Sequence, residues 1–168
     1  MSIPADFSSA TFFLCAAAIC KADVVIEGLD FEDSQPEKAV VDYLRQMGAD
    51  IAISDGQVRV RTSGLAGVEI DMNRTPDALP AMAVTAAFAE GKTRFYNVAQ
   101  ARNKETDRIT CMAQELAKAG IETEELPDGL VVYGGKFKAG KFDGRGDHRI
   151  VMAMAVGAMA AEGESVIG

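Results

Sequence analysis

The sequence has no tryptophan, a single histidine, only three cysteines, and fewer basic than acidic side chains, 17 against 25. Each shortage closes a route. A formal charge of −8 leaves no general basic face for a nucleic-acid backbone. Small anionic ligands stay open, because a few clustered Arg and Lys set the sign of a cleft locally. One histidine and no Cys-x-x-Cys spacing leave no ligand set for a metal. Cys15, Cys20 and Cys111 are odd in number and lie in apolar, helix-like stretches. They read as buried thiols of a reducing cytoplasm, not as a disulfide framework. No basic N-terminal region precedes a secretory core. The longest apolar run, near Ile150–Ala161, is too short and too rich in Ala and Gly to span a bilayer. What remains is ordinary for a globular chain: 168 residues, 48% hydrophobic and 25% charged, enough for one domain over 1–168.

Three segments share one pattern of a leading Asp, an Ala-rich apolar run, a small break and a β-branched or aromatic end. They open at Asp6, Asp77 and Asp147, 71 and 70 residues apart, and end on Val24–Ile26, Thr93–Tyr96 and Ser165–Ile167. A second pattern recurs between them. The amphipathic stretches Glu37–Met47 and Arg108–Ala119 each stop at a glycine, Gly48 or Gly120, and lead into a hairpin turning on Asp55-Gly56 or Asp128-Gly129. The unit is helix, strand, helix, hairpin, of about 70 residues, giving an α/β (α+β) fold divided near 6–70, 71–135 and 136–168. The third unit stops at Gly168 as its strand begins, so truncation is expected.

The two helix types differ. The Ala-rich ones are apolar almost all round, which predicts full burial, and the glycine-terminated ones carry one charged face. Buried helices inside with strands around them suggest a pseudo-threefold arrangement. Each buried helix starts on a polar signal: Asp6 with Ser8 and Ser9, Thr75-Pro76-Asp77, and Gly146-Asp147-His148. If the three run parallel, their positive dipole ends favour anions at one face.

Five motifs in one chain carry a family resemblance. Lys104-Glu105-Thr106-Asp107-Arg108-Ile109 is followed by a Met-Ala-x-Glu-Leu-x-Lys-x-Gly helix from Met112 to Gly120; Asp147-His148-Arg149, Thr75-Pro76-Asp77 and Asp6-x-Ser8-Ser9-Ala10 complete the set. In type, order and spacing they resemble the C-terminal domain of the EPSP synthase family. The resemblance implies the inside-out α/β barrel of enolpyruvyl transferases, with an active site between two closing domains. It implies transfer of the enolpyruvyl group of phosphoenolpyruvate to the 5-hydroxyl of shikimate 3-phosphate through a tetrahedral intermediate, without metal or organic cofactor. Glyphosate follows as a candidate inhibitor.

Carried over by motif, Asp77 falls near the attacking 5-hydroxyl as base, though it also suits a helix cap. Lys104 falls at the reacting centre, and Glu105 exchanges a proton with the methylene carbon of phosphoenolpyruvate; outside the family context this stretch would be a solvated helix start. Arg108 and Arg149 match arginines that bind phosphoenolpyruvate, with a surface ion pair as the plain alternative. Asp147 reads as cap and anchor, and His148 as an orienting group for Arg149. Gln100 stands where some relatives have a shikimate-phosphate asparagine, and Asn103 replaces an aliphatic residue; both put fine contacts in question. The family's first-domain Lys-Ser…Arg segment, its Ser-Ala-Gln segment and its late Lys before Phe-Pro are absent, so the chain alone is expected to be inactive and to need the other domain as partner. A bare apolar patch and the unpaired edge of an unfinished strand at Ser165–Gly168 would favour self-association. A non-catalytic binding module and a relative of UDP-N-acetylglucosamine enolpyruvyl transferase are the competing readings; RNA 3′-phosphate cyclase is related only in fold, and the negative charge opposes it.

Overall fold

A computed structural model describes residues 5–20, 22–61 and 64–168. The sequence reading of residues 1–4, and the parts of the first unit at 21, 62 and 63, lie outside them. Helix α1 (Phe7–Ile19) is started by Asp6, whose carboxylate accepts from the backbone N–H of Ser8 at 3.1 Å and of Ser9 at 2.9 Å. It leads to β1 (Asp23–Glu27), α2 (Ala39–Gln46) and the hairpin β2 (Asp50–Ser54)–β3 (Gln57–Arg61). The chain then repeats the order with α3 (Leu79–Ala86), β5 (Lys92–Tyr96), α4 (Arg108–Lys118) and the hairpin β6 (Thr123–Leu126)–β7 (Gly129–Tyr133), and begins it again with α5 (His148–Ala160) and β9 (Val166–Ile167). Two short strands stand before the second and third core helices: β4 (Glu69–Asp71) and β8 (Lys141–Phe142). They pair in parallel with β5 and β9, so each of these units begins as a β-α-β crossover.

The sheets run β1-β3-β2, β4-β5-β7-β6 and β8-β9. Asp55 and Gly56 both take positive φ, 47° and 73°, the geometry of a two-residue turn that matches strand twist. Helices α1, α3 and α5 pack pairwise on one another, with α2 laid against α1, and α4 across α3 and α5. Every residue of α3 is buried. Close approach of α5 to α3 requires Gly157, where a Cβ would lie 2.7 Å from the Phe137 ring and 3.0 Å from Val84. Phe137 in turn stacks on Phe88 with centroids 5.4 Å apart.

One expectation needs correction. The all-round apolar character of α1 and α5 does not bury them fully: Phe13 is 65% and Met159 69% exposed, and with Ala16, Met152 and Val156 they line a groove between the two helices. This is the side that neither α2 nor α4 covers. The strand at Ser165–Gly168 pairs on one side, β9 with β8, where the Gly168 N–H donates to the Phe142 carbonyl at 3.0 Å; the other edge of β9 has no strand beside it among the described residues. We propose that 1–168 is one domain with units near 6–70, 71–135 and 136–168; β4 lies at the first join, and its pairing with β5 groups it with the second unit.

Candidate active site

The starts of the three core helices gather at one end of the trio. The Asp6 carboxyl is held below its usual range chiefly by the Ser9 hydroxyl, and the charge of Arg149, on the first turn of α5, adds to this. Asp77 lies in the 3₁₀ turn Pro76–Ala78 that enters α3. The turn is fixed from behind by buried Thr75, whose hydroxyl meets the Tyr43 hydroxyl of α2 at 3.1 Å. Asp147 caps α5 and accepts from the Arg149 N–H at 2.9 Å.

Arg108 occupies the centre. It opens α4, which Asp107 starts by accepting from the Thr110 N–H. Its side chain is only 1% exposed, and three carboxylates hold its guanidinium. Nε donates to Asp147 Oδ2 at 2.8 Å and Nη2 to Asp147 Oδ1 at 3.3 Å; Nη1 reaches Asp77 Oδ1 at 2.8 Å, and Nη2 also reaches Glu105 Oε2 at 2.6 Å. The fork geometry of guanidinium makes this multiple engagement available, which an ammonium would not. Asp147 is fully buried, and Thr106 donates a further hydrogen bond to it at 3.2 Å. Burial pushes the Asp147 carboxyl up, but the Arg108 hydrogen bond, the Arg149 N–H, the Arg108 charge and Thr106 together hold it below the usual carboxylate range.

Two more cations face Asp77. Lys104 Nζ lies 3.1 Å from its Oδ1, and Arg149 Nη2 lies 3.7 Å from its Oδ2. Partial burial raises the Asp77 pKa, yet the Lys104 hydrogen bond and the charges of Arg149, Lys104 and Arg108 outweigh it, so the group is held low. Lys104, extended at the end of the 3₁₀ turn Ala99–Asn103, is positioned by Arg102, which bonds Asp107 at 2.7 Å and the carbonyl of Leu126 at 2.6 Å. Asp77, Lys104, Glu105, Arg108, Asp147 and Arg149 thus form one cluster of three cations and three carboxylates. It can hold an anion between Arg and Lys, and it offers a low-pKa carboxylate beside them to accept a proton.

Two sequence candidates stand apart. Gln100 donates to the Asn73 carbonyl at 2.7 Å, tying the 3₁₀ turn to the segment before Asp77 without touching the charged cluster. His148 is exposed and its side chain makes no hydrogen bond or ion pair among the described residues; the Arg149 side chain faces Asp77 instead. Thr106 and Glu115 were not picked out by sequence. Glu115 shares a buried helical stripe with Arg108 and Met112, a period that its charge disguises. No group of His, Cys, Asp and Glu able to hold a metal occurs among the described residues.

The sequence profile of EPSP synthase (3-phosphoshikimate 1-carboxyvinyltransferase) matches residues 1–168. The chain belongs to the EPSP synthase family. It is 51% identical over 166 residues to the 3-phosphoshikimate 1-carboxyvinyltransferase of Ruminiclostridium cellulolyticum, covering 99% of this chain and 39% of that protein. The corresponding enzyme of Acetivibrio thermocellus is 50% identical over 167 residues, covering 99% of this chain and 40% of the relative. The chain therefore spans about two fifths of the length of these EPSP synthases. The solved EPSP synthase of Acinetobacter baumannii superposes with a TM-score of 0.90 at 32% identity, over 98% of this chain and 42% of that one. An enolpyruvyl transferase of Streptomyces tendae shares the fold, with a TM-score of 0.77 at 19% identity, over 99% of this chain and 39% of that one. The α/β architecture expected from the repeats is that of EPSP synthase and enolpyruvyl transferase structures.

Proposed function

We propose that the chain supplies one wall of an EPSP synthase active site, in which the enolpyruvyl group of phosphoenolpyruvate passes to the 5-hydroxyl of shikimate 3-phosphate. The observation that carries this reading is the convergence of Lys104, Arg108 and Arg149 on Asp77. Arg149 and Lys104 bind the carboxylate and phosphate of phosphoenolpyruvate. Glu105, half exposed and held to Arg108 by a single contact, swings aside to open Nη2 to the same anion. Asp77 is ionised at neutral pH and accepts the proton of the 5-hydroxyl as its oxygen bonds to C2. Once clear of Arg108, Glu105 takes a proton from solvent and passes it to the methylene carbon, forming the tetrahedral intermediate; its carboxylate then takes a proton back from the resulting methyl group as the C2–O bond to phosphate breaks and the C=C bond re-forms. Lys104 offsets charge on the departing phosphate. No metal or cofactor is required by these steps.

Within this reading the other domain of the enzyme completes the shikimate 3-phosphate site, so the 168 residues alone have no turnover. The cytoplasm is the compartment we infer; Cys15, Cys20 and Cys111 are free thiols, and no helix among the described residues is long and apolar enough to cross a membrane. The test is a chimera in which residues 5–168 replace the matching segment of the Ruminiclostridium cellulolyticum relative. Phosphate release should require both substrates, and Asp77→Asn should lower kcat by about 100-fold or more with KM little changed. Undiminished kcat in the Asp77→Asn chimera would refute the assignment.

A further inference from the structure

Glu115 is a carboxylate with no solvent exposure, seven residues along α4 from Arg108. Stabilising its own helix requires only the i,i+3 pair with Lys118, whose Nζ lies 2.8 Å from both oxygens, and an exposed pair would do that without burial. Burying a carboxylate is costly unless its partners are many and well placed. The extra partners all lie on the turn before α5. Oε2 accepts from the Asp143 N–H at 3.0 Å and Oε1 from Arg145 Nη2 at 3.3 Å. Arg145 and Gly146 both have positive φ, 54° and 74°, and an arginine holds that conformation only where its surroundings compensate. The next residue is Asp147, which grips Arg108, and Arg149 follows.

Helix α4 and the start of α5 are thus joined at two points, Arg108–Asp147 at one and Glu115–Asp143/Arg145 at the other. The points lie about two helical turns apart, on the order of 10 Å. One contact leaves a helix free to pivot; two set its angle. We propose that Glu115 is a positioning residue that fixes the 143–146 turn and so sets the placement of Arg108 against Arg149. Its bearing on phosphoenolpyruvate rests on the function proposed above.

The experiment begins with the 168-residue chain and needs no turnover. NMR follows solvent exchange of the Arg108 Nε–H, which Asp147 holds. Arg145→Gly removes the side-chain half of the tie, leaving the Asp143 N–H, and suits the positive φ, so the fold is retained, as thermal melting verifies; Glu115→Gln removes the charge that both halves share. Exchange at Arg108 should quicken at least tenfold in Arg145→Gly and further in Glu115→Gln. Exchange within twofold of the parent in both a folded Arg145→Gly and a folded Glu115→Gln overturns the proposal. In the chimera, Arg145→Gly should raise KM for phosphoenolpyruvate about fivefold or more with kcat nearly constant, and Arg108→Ala serves as the reference. If Arg108→Ala raises KM and Arg145→Gly does not, the positioning role fails alone. If Arg108→Ala leaves KM unchanged, the reading of the site falls, and the exchange result still decides whether Glu115 sets Arg108.

Discussion

A guanidinium held by three carboxylates and exposed by 1% makes Arg108 a structural residue, whatever it also binds in the proposed function. Arg108→Ala leaves Asp147 buried without its counter-charge, and breaking such a pair costs about 3–5 kcal/mol; chemical denaturation of the chain should show that loss. The same pair gives a pH signature. The folded Asp147 pKa is depressed, so its contribution is fully present above the ordinary Asp value and is lost as pH falls through the lower, folded value. Stability should decline in acid, below about pH 4, and Asp147→Asn should flatten that decline even though it lowers stability at neutral pH. Denaturation curves at stepped pH for both proteins test it. Residue types and motif spacing made the charged cluster readable, because Asp77, Lys104, Arg108 and Arg149 are set by local helix starts. The contacts of Gln100 and His148 were not legible, because neighbours in sequence are not surroundings in space: one reaches back to Asn73, the other is exposed.

Elements followed the sequence wherever a period or a stop signal was strong. The glycine-ended α2 and α4 and both Asp-Gly hairpins are where they were expected. Strands β4 and β8 escaped because three residues or two cannot show an alternation, and parallel pairing alone defines them. The contact between α5 and α3 was equally invisible, since an isolated glycine in an Ala-rich helix reads as a mild weakness. Gly157 is instead a point of close approach, so Gly157→Val should cost about 1–3 kcal/mol through overpacking against Phe137 and Val84, despite better intrinsic helicity. Thermal melting measures it. At the other end of the trio, Asp6→Ala should remove the α1 cap at a cost of about 1 kcal/mol.

For the molecule as a whole, we expect the exposed seam between α1 and α5 to govern behaviour in solution. Phe13 and Met159 present apolar surface that water does not favour. The 168-residue chain should therefore bind a hydrophobic dye and associate as concentration rises, and Phe13→Glu with Met159→Glu should return it to a monomer without loss of helix content. Sedimentation velocity over a wide concentration range distinguishes the outcomes; a monomeric parent at high concentration would show that the seam is inert. Full burial was expected from the periodicity because a helix apolar all round normally has neighbours all round. The sequence carries no mark of which side a neighbour is missing from.

The charged cluster draws on two repeats at once. Asp77, Lys104 and Arg108 come from the second, Asp147 and Arg149 from the third, and the decisive bond, Arg108 to Asp147, crosses between them. The second unit by itself already brings the guanidinium to one acid, Arg108 to Asp77 at 2.8 Å, but the buried acid and the second arginine, Asp147 and Arg149, reach it only from the next unit. Cutting the backbone between residues 135 and 136 would therefore part Arg108 from its buried anchor while leaving α4 and α5 each with its own aspartate cap.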